Sequence, residues 1–172
     1  MPRSSCSAAE AYGPHASESF WSCPGHCGVG VGFLAYPFAL DTCVFIYLLE
    51  ENPEYLPIVR PMFERIDAGA LPAVTSTLTL LETLMVPYRA GDRPLADRYE
   101  ALLTRSKGLE CVAISRAVLR GAAMLRAVAN VPTPDAIQLA TALQRCCGTF
   151  VTNDRKIASL DHLRVVQLQE LL

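Results

Sequence analysis

Positive charge is not in excess in this chain. Fifteen Lys and Arg stand against 17 Asp and Glu, with three His, for a formal net charge of -2 and a pI near 5.9. That excludes the broadly basic surface which by itself announces a nucleic-acid binder, though not a local phosphate contact. A secretory signal is missing too, because the first 27 residues are mostly small and polar and have no apolar run after Arg3. The expected location is therefore cytoplasmic. There is no internal repeat and no low-complexity core segment. An even cysteine count is also lacking: the seven present fit a reducing compartment better than a disulfide framework. Cys43, Cys111, Cys146 and Cys147 sit in apolar segments, where a thiol behaves as a small hydrophobe.

What is present is enough apolar material for one ordinary core, with 172 residues, 51% of them hydrophobic and 19% charged. Residues 1–32 are rich in Ser, Gly, Pro, Ala and Cys and show no period of 2 or 3.6. They read as a disordered tail ahead of a domain spanning 33–172. No Met occurs between Met1 and Met62, so a start at Val29 or Val31 is an expectation that a native N-terminal peptide beginning at residue 1 or 2 would overturn. The nearly apolar stretch Gly28 to Leu49 raises the question of a membrane span. Asp41 near its middle would cost roughly 2.5 to 3.5 kcal/mol there, and Pro37 interrupts a helix. A buried strand running into a helix is the better reading, and no membrane partner is expected.

From PFALD onward, strands and helices alternate. Strands are expected at PFALD, LPAVT, ECVAI, GTFVT and LRVVQL, and helices at CVFIYLLEE, Glu54 to Ala68, Ser76 or Thr77 to Arg89, Asp92 to Ser106, Ser115 to Ala129 and Thr133 to Cys146. Gly69 suits the end of the second helix, and Asp154 is expected to begin a short one. This pattern is an α/β fold with a mainly parallel sheet of about five strands.

In such sheets ligands gather outside the carboxyl ends of the strands, and three acids are predicted there. Asp41 ends the first strand, Asp154 follows the fourth, and Asp135 lies in the first turn of the helix after Thr133, which is expected to cap it. Taken singly, Asp135 and Asp154 are explained as carboxylates complementing helix N-termini, worth about 0.3 to 1 kcal/mol each. Glu82 is harder to explain, because its neighbours one turn away are Leu78, Thr79, Met85 and Val86. An unpaired acid on that face is costly, unless Arg89 or Arg120 pairs with it. A common cluster of Asp41, Glu82, Asp135 and Asp154 accounts for all four. Such a cluster would hold protons unless a divalent cation neutralised it. Hard oxygen donors select Mg²⁺ or Mn²⁺ over zinc, and phosphodiester hydrolysis is the natural chemistry. Cys23, His26 and Cys27 in CPGHC offer only three neighbouring ligands, short of the four a structural zinc site needs.

The segments LDTCVFIYLLE, TSTLTLLETL, TPDAIQLATAL and FVTNDRKI, in this order and spacing, resemble the successive motifs of VapC-like PIN-domain nucleases, from about Leu40 to the C-terminus. The resemblance implies a PIN-like three-layer α/β/α fold and a metal-dependent endoribonuclease acting on RNA. It also implies a homodimer held inactive by a small VapB-like antitoxin, the other half of a type II toxin–antitoxin pair. By match, Asp41, Glu82, Asp135 and Asp154 fill the four acidic positions. Cys43 departs from the Asn or Ser often found at its position, which puts in doubt the hydrogen bonding around the site. Thr152 is expected to support a carboxylate. Arg89, Arg93, Arg155 and Lys156 are candidate phosphate contacts. From Leu40 onward 14 basic residues face 15 acidic ones, or 11 once four metal-bound acids are set aside, leaving a mildly basic remainder. Two alternatives stand beside this reading: another Mg²⁺-dependent phosphohydrolase, such as a phosphatase, and a catalytically inactive PIN-like interaction or regulatory module.

Overall fold

The computed structural model describes residues 37–172. The tail over 1–32, the possible starts at Val29 and Val31, and the CPGHC motif lie outside the described residues. Twelve elements follow in chain order: β1 (Phe38–Leu40), α1 (Thr42–Leu49), α2 (Leu56–Asp67), β2 (Ala73–Ser76), α3 (Leu78–Ala90), α4 (Arg93–Arg105), β3 (Leu109–Val112), α5 (Arg116–Ala129), α6 (Thr133–Gln144), β4 (Thr149–Thr152), β5 (Arg164–Gln167) and a closing 3-10 turn, Leu168–Leu171. Among the described residues no helix is long and apolar enough to cross a membrane.

The alternation of side chains along each strand builds a three-layer sandwich. Leu40, Ala73, Leu109 and Val151 face a core with Val44 and Phe45 of α1, Val59, Phe63 and Ile66 of α2 and Leu103 of α4. Their strand neighbours Ala39, Val74, Val112 and Phe150 face the other way, onto Leu139, Ala142 and Leu143 of α6. Burying each large apolar side chain contributes about 1.5–3 kcal/mol, so both faces of the sheet are held. A third cluster joins Leu78 of α3 to Val118 and Ala122 of α5 and Ala136, Ile137 and Ala140 of α6. Gly69 takes φ +72 after α2, as a helix terminator should. Gly108 is needed for another reason: a Cβ there would stand 2.0 Å from the carbonyl oxygen of Ile66.

Every strand pair is parallel, and the strand order is β3-β2-β1-β4-β5. The chain winds outward from β1 through β2 to β3, then returns to lay β4 on the other side of β1. Strand order therefore reverses between β1 and β4, and the crevice outside their carboxyl ends is where a doubly wound sheet binds ligands. Two expectations about local structure are corrected. Asp154 starts no helix, because residues 153–159 form turns and irregular backbone. Thr133 is the first residue of α6, with Pro132 as its cap, so Asp135 is the third helical residue.

Candidate active site

β1 delivers Asp41 to the switch point and α1 fixes it there. Asp41 has extended backbone angles, φ -73 and ψ 159, and its Oδ1 accepts the Thr42 N–H at 2.7 Å as the N-cap of α1. Its Oδ2 accepts the Thr152 hydroxyl at 2.5 Å and, more weakly, the Cys43 thiol at 3.7 Å. Thr152, buried at the end of β4, also accepts the Asp154 N–H at 3.0 Å. One hydroxyl thus ties two of the predicted acids together. Burial raises the Asp41 carboxyl above the ordinary range; hydrogen bonds from Thr152, Thr42 and Cys43 oppose this, and the charge of Asp154 adds to it. Burial, then the charge of Asp41, pushes the Cys43 thiol up to about 12, so it is a protonated donor at neutral pH.

Asp154 caps a turn in place of the expected helix. Its Oδ1 accepts the Lys156 N–H at 2.8 Å, and its carbonyl accepts Gln167 Nε2 at 3.0 Å. Asp135 stands in the first turn of α6. Were it there only to complement the helix terminus, its anion should be favoured, yet its pKa is raised to about 6. Burial is the largest cause, followed by the charges of Asp41, Asp154 and Glu82, with Lys156 pulling the other way. Burial, and after it repulsion from three acids distant in sequence, sets this carboxyl.

Glu82 comes from the second turn of α3. Leu78 and Thr79 are buried, but Met85 and Val86 point to solvent, so the acid sits at the border of the apolar face rather than within it. Its Oε2 accepts the Thr42 hydroxyl at 2.5 Å. Burial raises its carboxyl, with the hydrogen bond from Thr42 and the nearby Gln138 amide lowering it and the charge of Asp41 raising it. No arginine is among these influences, so pairing with Arg89 or Arg120 does not explain its placement.

Below Glu82 lies a polar layer that sequence reasoning missed: Thr42, Thr75, Ser76, Thr79 and Gln138, all buried. The available signal was Gln138 itself, a long polar side chain amid the apolar run of TPDAIQLATAL. Among the proposed phosphate contacts, Arg155 is engaged by Gln169, Nε to Oε1 at 3.1 Å, whereas the charge of Lys156 reaches Asp135.

The donor set suits a hard cation: four carboxylates, three of them with raised pKa values. Their groups share one field without being drawn into one shell, since among the described residues no three His, Cys, Asp or Glu side chains stand ready to hold a metal ion.

Fold and site together define a doubly wound α/β domain with four acids within reach of one another's charge at its switch point. The chain belongs to the PIN-domain family, whose model matches residues 38–163. Similar solved structures include a toxin–antitoxin complex from Klebsiella pneumoniae, at 22% identity and TM-score 0.58, covering 76% of this chain and 96% of that one. DNA-bound VapBC from Salmonella typhimurium shows 22% identity and TM-score 0.56 over 77% and 98% of the two chains. VapC20 from Mycobacterium tuberculosis, a toxin described as cleaving the sarcin–ricin loop, shows 16% identity and TM-score 0.53 over 66% and 86%. At these identities the likeness is one of fold. No curated protein matches.

Proposed function

We propose that this chain is a divalent-metal-dependent endoribonuclease and the toxin of a VapBC-type pair. The observation that carries the reading is that Asp41, Glu82, Asp135 and Asp154 lie within reach of one another's charge: burial first, then Asp41, Asp154 and Glu82, raise the Asp135 pKa to about 6. Four acids from β1, α3, α6 and the β4 exit thereby act as one electrostatic unit, and that repulsion is relieved by a cation. PIN-family membership and the likeness to toxin–antitoxin structures support the choice of substrate and partner.

Asp41, Asp135 and Asp154 would hold Mg²⁺ or Mn²⁺, with Glu82 as a further ligand or as a carboxylate orienting one. When bound, the ion supplies Lewis acidity toward a phosphodiester and lowers the pKa of the attacking water. Thr152 keeps Asp41 Oδ2 and the Asp154 backbone in fixed relation, so the strand side is organised before anything binds. Lys156 is the cation placed to meet a phosphate beside Asp135.

The partner reading draws on α3. Leu81, Met85, Val86 and Tyr88 are each at least half exposed, forming an apolar strip on the helix that carries Glu82. Surfaces of this kind are covered by partners, here an antitoxin or a second copy in a homodimer.

The test is RNA cleavage by purified, antitoxin-free protein with Mg²⁺ or Mn²⁺ against EDTA, alongside Asp41→Asn and Asp135→Asn. New RNA ends are expected only for wild type with metal. Absence of cleavage with either ion, or full cleavage by Asp41→Asn, overturns the proposal. Hydrolysis of p-nitrophenyl phosphate but not RNA would favour a phosphatase.

A further inference from the structure

The buried polar layer below Glu82 has a direction that follows from counting hydrogens. Thr42, Thr75, Ser76, Thr79 and Gln138 are each less than one-tenth exposed, so each donor and acceptor among them needs a partner. The pairing of Ala39 with Val74 would set Asp41 opposite Ser76, but there the chain turns into α1. The Ser76 N–H meets Gln138 Oε1 instead, at 3.4 Å. This contact orients the amide, since a flipped side chain would set Nε2 against another donor.

Gln138 Nε2 then directs its two hydrogens to Thr42 Oγ1 at 3.1 Å and Thr79 Oγ1 at 2.9 Å. The Thr75 hydroxyl donates to the Leu40 carbonyl at 3.0 Å, so in its 2.8 Å contact with Thr79 it is Thr79 that donates. The hydrogen of Thr79 is thereby spent, and the 3.2 Å contact between Thr42 and Thr79 needs none. One hydrogen remains on Thr42, and its acceptor is Glu82 Oε2 at 2.5 Å.

We propose that Gln138 is a positioning residue for Glu82: by donating to Thr42 it commits that hydroxyl to Glu82 Oε2, holding the carboxylate in one orientation with its other oxygen available to a cation. Gln138 lies one turn from Asp135 on α6, so this helix carries one acid of the pocket and steers another. The inference rests on the metal-site reading given above.

Four proteins test it: wild type, Gln138→Leu, Glu82→Gln and the double variant. The readouts are Mn²⁺ affinity by calorimetry, kcat and KM on an RNA oligonucleotide, metal-free melting, and the side-chain amide signals of Gln138 by ¹H–¹⁵N NMR. Gln138→Leu is expected to weaken Mn²⁺ binding by roughly 10-fold, the lower end for groups that orient a ligand, and to lower kcat more than it changes KM. The double variant should bind Mn²⁺ no more weakly than Glu82→Gln alone. In wild type the Gln138 amide protons should exchange slowly, and Glu82→Gln should shift them. Wild-type affinity in Gln138→Leu, additive losses in the double variant, or Gln138 signals unmoved by Glu82→Gln would each overturn the proposal. Should Gln138→Leu fail to fold, the NMR comparison of wild type with Glu82→Gln decides alone. Wild-type protein that binds no Mn²⁺ overturns the metal-site reading instead, and the amide signals then decide the coupling by themselves.

Discussion

On the strand side of the pocket, Asp41 receives hydrogen bonds from Thr42, Thr152 and Cys43, and Asp154 is tied to the same Thr152. On the helix side, Asp135 owes its raised pKa to burial and to the charges of other acids, with only Lys156 opposing. The first pair is placed by the sheet; Asp135 is placed by a helix and left to burial and neighbouring charge. Strand-held groups are organised in advance and lose function when their supports are cut, whereas a group governed by burial and neighbouring charge answers to pH and to cations.

The largest break in this comparison is Asp41→Asn. An amide at that position loses a ligand charge and keeps a single acceptor oxygen, so its hydrogens face either the Thr152 hydroxyl or the Thr42 N–H, which now donate to separate oxygens. RNA cleavage should fall by at least about 10²-fold, the size lost when one preorganised charge-stabilising group is removed. Initial rates at saturating Mn²⁺ check it. An unaltered rate would remove Asp41 from the chemistry.

Next comes Thr152→Val, which keeps shape and deletes the hydroxyl shared by Asp41 and the Asp154 N–H. Mn²⁺ affinity should weaken about 10- to 100-fold, with the metal-free protein losing stability from the unpaired Asp154 N–H, about 1–3 kcal/mol. Calorimetry and thermal melts measure both. If neither changes, the sheet does not organise the site.

The two sides also differ in how far the sequence disclosed them. The parallel sheet was legible because strand segments such as GTFVT alternate with long helices, and the four acids because each breaks a local pattern. Thr152 was readable as the residue two before Asp154 in a strand exit. The polar layer was not: Thr75 and Thr79 read as ordinary strand and helix residues until the fold brings Gln138 from α6 between them. At Asp154 an Asp followed by a short polar segment suits a turn as well as a helix cap, and the turn is what forms. Periodicity alone does not say where a helix leaves the core, and Glu82 sits at the border of the apolar face because Met85 and Val86 reach solvent.

A smaller effect sharpens the electrostatic half. Asp135 has a folded pKa of about 6 against the ordinary aspartate value of 3.8, so between those values the native state binds more protons than the unfolded chain. Stability contributed at low pH is then lost as pH rises through about 6. Burial and repulsion raise Asp41 and Glu82 as well, with the same sign. Melting of metal-free wild type, measured from pH 4 to 7, should fall relative to Asp135→Asn by a few °C, and Mn²⁺ at pH 7 should restore it by binding the native state. Parallel pH curves for the two proteins would show that Asp135 does not feel its neighbours.

The smallest expected effect tests whether the strand side has spare capacity. Cys43 gives Asp41 Oδ2 only a long thiol contact, 3.7 Å, and it packs against the core of Val44 and Phe45. Cys43→Ser exchanges that weak donor for a hydroxyl able to approach more closely, at the cost of some apolar packing. A hydrogen bond gains about 0.5–1.5 kcal/mol net, and the lost packing offsets part of it, so Mn²⁺ affinity should tighten by no more than about threefold. Because Thr152 and Thr42 already hold the carboxylate, a third good donor has little left to fix. A large gain in affinity would mean that Asp41 is underheld in the native protein, and the contrast between the strand-held and helix-held acids would weaken accordingly.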